Sequence, residues 1–291
     1  MQPDIQNQGY AVGIAAAMAT RSGTNLRDID IRTLQQHLVD KGNLPRDVLA
    51  HEDSFPLPLR AVQVAVGTVT NDFDGLEILF AQPEQALPLL RQAYADTTSQ
   101  EDKLTYAHIL GILDDPTGVA TLAEAVAASE WDEGWKYTGM GQYGRSISPV
   151  DSLIIALGRT RQPQALGPIL AKVQQLGPEH AMSHHRAVAL ALETLKDPAA
   201  AAPLATLLNK PGMRGHAMTD IETAITNLPA SATDTSLRER SLRELILARA
   251  LYRCGDDRGL GKQVLTEYSK DLRGHYARHA LAVLKENQHD R

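Results

Sequence analysis

Cysteine occurs once in the 291 residues, at Cys254, so no intrachain disulfide can form and no cysteine cage can hold a metal. That usage is compatible with a reducing compartment. Aromatic residues make up only 4% of the chain, which leaves small aliphatic side chains to build the core. Lys and Arg total 29 against 35 Asp and Glu, they are scattered, and the formal charge is −6. This excludes the concentrated positive face that nucleic acid requires, and no polybasic segment offers itself to an anionic membrane. A long apolar run is also missing. The longest alanine-rich stretch, Ala11 to Thr20, is too short to span a bilayer. Met1 to Gln8 carries Asp4 and no Lys or Arg, so that stretch lacks the positive flank of a signal-peptide core. The expectation is a soluble protein, cytoplasmic by default, with export possible if a targeting peptide precedes a longer chain.

What the sequence has in plenty is Ala and Leu, which favour helix and let helices approach closely. From about Pro83 the pattern is helical and loosely repetitive. EDKLTYAHILGILDDPTGVATLAEAV and HHRAVALALETLKDPAAAAPLATLL place Leu110 and Leu192 six residues before Pro116 and Pro198. SPVDSLIIALGRTRQPQALGPILAKV is a weaker copy, with Leu157 six before Pro163. Each unit predicts a helix, a short Asp-Pro or Gln-Pro turn and a second helix, since proline ends one helix and is tolerated in the first turn of the next. The prolines are 47 and 35 residues apart, an irregular period that fits helix-pair repeats. Residues 81–291 are therefore expected to form a short α-solenoid resembling HEAT-type repeats. Its last helices lie around Arg243 to Tyr268 and His275 to Asn287, after a polar connector at Pro229 to Ser236.

The first 80 residues read differently. Gly9 to Thr20 predicts one helix, and Asp30 predicts the N-cap of a second that carries Ile31, Leu34 and Leu38 and ends at Gly42. RAVQVAVGTV and LEILFA, separated by NDFDG, predict a small β-hairpin within a connector at 46–80.

The stretch YTGMGQYGRS contains G-x-G-x-x-G at Gly139, Gly141 and Gly144. A dinucleotide fingerprint needs a strand before it and an acidic residue beyond a second strand. Here polar SEWDEGWKYT precedes it and another helix of the array follows, so the context is wrong for a Rossmann turn. The loop at 129–148 still gathers both tryptophans, Trp131 and Trp135, with Tyr137 and Tyr143. It reads either as a surface excursion or as a segment reaching a neighbouring site.

His180 and His184 are four residues apart, as are His275 and His279, a spacing that can share a metal on a helix. Ser183 reads as a cap between the first pair, and the second lacks a third ligand, so no metal is expected. His184, His185 and Arg186 open a predicted helix and are a candidate anion contact, with a solvated helix start as the plainer reading. Cys254 reads as a buried filler.

Two stretches resemble a known family. GYAVGIAAAMATRSGTNLRDIDIRTLQQHLVDKGNLP, Gly9 to Pro45, resembles the end of the FAD-binding domain in FAD-dependent oxidoreductases of the fumarate-reductase-like flavoprotein group. GWKYTGMGQYGRSISPVDSLIIALGRT is similar to a segment of the bacterial branch whose members carry a C-terminal helical-repeat extension. The resemblance implies that residues 1–45 are the C-terminal remnant of an FAD-binding domain, with Gly9, Tyr10 and Ala11 at a helix start facing the flavin. Tyr10 stands where the family usually has a small residue. It further implies that Trp135, Tyr137, Gln142, Tyr143 and Arg145 belong to a loop that caps the flavin or substrate site. The strand, glycine fingerprint and acidic ribose-binding residue of such enzymes are missing from this sequence. The chain is therefore expected to bind no FAD alone, to partner a missing or separate FAD-binding domain, and to be inactive by itself. The alternative is a free-standing HEAT-like scaffold that takes a protein partner on its repeat surface.

Overall fold

The computed structural model describes residues 2–52, 56–134, 148–229, 231 and 234–289. It is mostly helical, with no strand among the described residues. The chain divides into two compact units, Met1–Leu57 and Pro58–Arg291.

In the first unit, α1 (Gln2–Ser22) is followed by a 3-10 turn at Leu26–Asp28 and by α2 (Ile31–Asp40). Asp30 caps α2, its carboxylate accepting from the amides of Arg32 (3.0 Å) and Thr33 (3.3 Å). Those bonds hold the Asp30 carboxyl below the usual carboxylate range, with the Thr33 hydroxyl the largest contributor. Past α2 the backbone turns left-handed at Gly42 (φ 75°), as the sequence predicts. Leu34 and Leu38 are buried, while Ile31 is exposed. A second 3-10 turn, Arg46–Ala50, is tied back when Arg32 donates to the carbonyls of Leu49 (3.0 Å) and His51 (2.5 Å).

The expected hairpin is not a hairpin. Its two arms are helices, α3 (Leu59–Thr68) and α4 (Leu76–Ala81). The buried residues Val62, Ala65, Val66 and Val69 recur at i, i+3, i+4 and i+7, a helical stripe that the run of valines disguises as a strand. NDFDG does form the turn, with Asp72, Phe73 and Gly75 all at positive φ. These helices pack with α5 (Pro83–Asp96), and a core of Val62, Leu79, Leu90 and Leu110 joins them to α6 (Gln100–Ile112).

Beyond α6 come α7 (Val119–Ala128), α8 (Pro149–Arg159), α9 (Leu166–Gln175), α10 (Met182–Leu195), α11 (Ala201–Leu208) and α12 (Ile221–Thr226). The chain then forms α13 (Ser236–Arg253), α14 (Leu260–Tyr268) and α15 (Gly274–His289). Helices α6, α8, α10 and α13 pack in succession, and α7, α9 and α11 pack in a second row against them. The large core includes Leu122, Ile154, Leu157, Ile169, Leu192, Leu204 and Leu251.

The loose repetition of the sequence has a counterpart in the turns. Four residues after Leu110, Leu157 and Leu192, the backbone adopts positive φ at Asp114 (62°), Arg161 (54°) and Lys196 (52°). Each such residue stops its helix. The following Asp115 and Asp197 then accept from the amides of Thr117 (3.0 Å) and Ala199 (2.9 Å), fixing the turn before the proline-led segment. Gly111 and Gly158, each one residue past the repeated leucine, sit against backbone atoms of Ala156 and Ala191 on the next helix. At the third copy the same position is Glu193, which reaches α13 through Arg249 instead.

Candidate functional site

A polar cluster at the N-terminal ends of α8 and α10 is the most chemically loaded place in the second unit. Ser148 caps α8, accepting from the Asp151 amide at 3.0 Å, and Pro149 opens the helix. The Ser148 hydroxyl donates to Asp132 Oδ1 at 2.5 Å, and the Val150 amide donates to Asp132 Oδ2 at 3.3 Å. Asp132 thus acts as a second acceptor for the start of α8, where the helix dipole favours a carboxylate.

His184 lies beside this junction and is buried, as is Asp151. Its Nδ1 is 2.7 Å from Asp151 Oδ1 and its Nε2 is 3.2 Å from the Asp132 carbonyl oxygen. The Trp131 ring lies tilted against it, 33° between planes and 4.4 Å between centroids. Lys172 of α9 donates to the Ser129 carbonyl and holds its ammonium 5.2 Å from the Trp131 centroid. Gly134 is required here, because a Cβ at that position would stand 2.6 Å from His184 Cε1. Asp151 Oδ2 and Trp131 Nε1 are buried with no hydrogen-bond partner among the described residues.

His185 faces the other way. It bonds through Nδ1 to the Ala181 carbonyl at 3.0 Å, and its Nε2 is buried without a partner among the described residues. Burial, helped by the nearby Arg243 cation, pulls its pKa down to about 3. Arg186 is exposed, so the structure does not bring His184, His185 and Arg186 together as one anion contact. Ser183 is not the cap. Met182 opens α10, and the residue before it, Ala181, makes no side-chain cap bond, so Ser183 lies inside the helix.

His180 accepts from the Gly177 amide at 3.0 Å and lies 3.0 Å from Glu179, while His184 is committed to Asp151. His279 lies 3.4 Å from Arg249, and the His275 ring lies against Tyr276 at 48° between planes. Among the described residues no three His, Cys, Asp or Glu side chains converge as a metal site. Cys254 is buried.

Gly9, Tyr10 and Ala11 do not start a helix. α1 begins at Gln2, Asp4 lies in its first turn, and nothing from Gln2 to Gln8 breaks it. The amides of these three residues therefore belong to the middle of a helix rather than to a free N-terminus. Tyr10 instead stacks on His37 and shares a 2.8 Å hydrogen bond with it. Trp135, Tyr137, Gln142, Tyr143 and Arg145, with the G-x-G-x-x-G stretch, lie outside the described residues. Among the described residues no helix is long and apolar enough to cross a membrane.

The cluster around His184 had almost no sequence signal. Asp132, Asp151 and His184 are spread over three separate segments, and only His184 was singled out, for a different role. No family model matches this chain, and no curated protein or solved structure is significantly similar to it.

Proposed function

We propose that this chain is the helical-repeat region of an FAD-dependent oxidoreductase of the fumarate-reductase-like group, and that it holds no flavin itself. The observation that carries this reading is the uncovered face of α1. Ile5, Gly9, Val12, Gly13 and Ala16 fall on one helical stripe. Ile5 and Val12 are 63% and 64% exposed, and a Cβ added at Gly9 or Gly13 would meet no atom within 4 Å. Small residues between large apolar ones suit close packing by another element, here a FAD-binding domain. The recurring left-handed turns at Asp114, Arg161 and Lys196 support a HEAT-like solenoid for the rest.

The test is flavin retention. FAD added to the purified chain should show no saturable binding. A polypeptide that carries the FAD-binding domain ahead of this sequence should retain flavin, and Gly13→Leu in it should cut flavin occupancy at least tenfold. Full occupancy in that variant, or tight FAD binding by the chain alone, would overturn the reading.

A second reading rests on a different surface. Ile221, Ile225 and Leu228, in and just after α12, are 70%, 62% and 69% exposed at i, i+4 and i+7. That spacing suits an apolar helix face offered to a protein partner, the role of a free-standing scaffold.

A further inference from the structure

The residues leaving α7 are fastened to α8 and α10 through one titratable centre. Asp132 binds the start of α8 through its carboxylate and meets His184 through its carbonyl. Both ring nitrogens of His184 face acceptors, Asp151 Oδ1 at 2.7 Å and the Asp132 carbonyl at 3.2 Å. A neutral imidazole owns one N–H and satisfies one of them, whereas an imidazolium satisfies both. We propose that His184 is a proton-operated latch that bridges α8 to the Trp131–Asp132 backbone when charged and releases the Asp132 carbonyl when neutral.

The order of release follows from acceptor strength. A carboxylate is the stronger partner, so Nδ1 keeps its hydrogen on Asp151 and Nε2 gives up the proton. The bare Nε2 lone pair then faces a carbonyl oxygen, and that contact turns repulsive. Asp151 has no other side-chain contact to hold it, since its Oδ2 has no partner among the described residues and its Oδ1 meets His184.

The charged and titratable groups around the latch are few among the described residues. Asp151 faces it from α8, Asp132 from the segment after α7, and Lys172 of α9 stands beyond Trp131. His180 and His185 flank it along the chain, and Arg243 of α13 approaches His185. His185 stays neutral throughout the physiological range because burial disfavours its charged form.

Trp131 supplies the readout, because an imidazolium in contact with indole quenches its emission. The chain has two tryptophans, so the full-length protein is studied with Trp135→Phe, leaving Trp131 alone. Emission should rise with pH in a single one-proton transition. His184→Gln should abolish the transition. Asp151→Asn, which keeps the imidazole and removes the neighbouring charge, should move it to lower pH. A flat emission profile, a transition that survives His184→Gln, or one unmoved by Asp151→Asn would each overturn the latch. The proposal stands independently of the flavoprotein reading.

Discussion

Gly158 of α8 lies so close to Ala191 of α10 that a Cβ on Gly158 would stand 2.5 Å from Ala191 Cα and 2.6 Å from Ala191 Cβ. The two helices cross nearly backbone to backbone, and Gly111 makes the same kind of contact with the Ala156 carbonyl. Overpacking of this sort costs about 1–3 kcal/mol, against a helix-propensity gain of about 1 kcal/mol for replacing glycine. Because backbone has to move, Gly158→Ala is expected to lose roughly 1–2 kcal/mol in urea unfolding. Gly167→Ala is the control. It sits in α9 with open space around it and should be neutral or gain up to about 1 kcal/mol. Equal behaviour of the two variants would contradict the close crossing.

Acid should weaken the fold through His185. Its pKa falls from 6.5 to about 3 on folding, chiefly through burial. The unfolded chain therefore takes up the proton first, and the contribution is complete above about 6.5 and is lost as pH falls from there through about 3. The slope is about 1.4 kcal/mol per pH unit. Between about pH 6.5 and pH 5 the protein should lose roughly 2 kcal/mol more than His185→Leu does. Equal losses, measured by urea unfolding at both pH values, would remove His185 from the account.

Glu193 ties α10 to α13. Arg249 holds it with two bonds of 2.8 and 2.7 Å, and Arg253 adds a third at 3.1 Å before reaching Glu286 on α15 at 2.6 Å. The Glu193 side chain is 9% exposed and that of Arg249 15%, so solvent screens them little. Glu193→Gln leaves two guanidinium groups facing a neutral amide and should cost about 2–4 kcal/mol. Glu286→Gln, at the exposed end, should cost under about 1 kcal/mol. A reversed order in thermal or urea unfolding would refute the network.

Cys254 should be inert in the folded protein. Its thiol is buried, donates to the Leu192 carbonyl at 3.4 Å, and has its pKa pushed up to about 12 by burial, then by Glu193 and Asp197. Iodoacetamide should leave it unlabelled in buffer and label it fully in denaturant. Fast labelling under native conditions would show that the end of α13 opens readily.

Ala and Leu content, the leucine–proline spacing and the cap at Asp30 determine by themselves that this chain is helical and where several helices begin or stop. Caps and turns are local, made within three or four residues, so local sequence is enough to read them. The same local reading failed at Val62 to Val69, where β-branched residues suggested strands. Packing against Leu79 and Leu90 selects a helix there, and periodicity over eight residues was the only clue. It failed again at Gly9, because a glycine-rich stretch looks like a helix start when nothing before it is weighed. Only the tertiary structure decided that His184 is buried against Asp151 and the Asp132 carbonyl while its neighbour Arg186 is exposed. Residues 52 and 33 positions away supply those partners, and their approach depends on how α8 and α10 cross at Gly158 and Ala191. That crossing is set by the packing of the whole array, which no short stretch of sequence encodes.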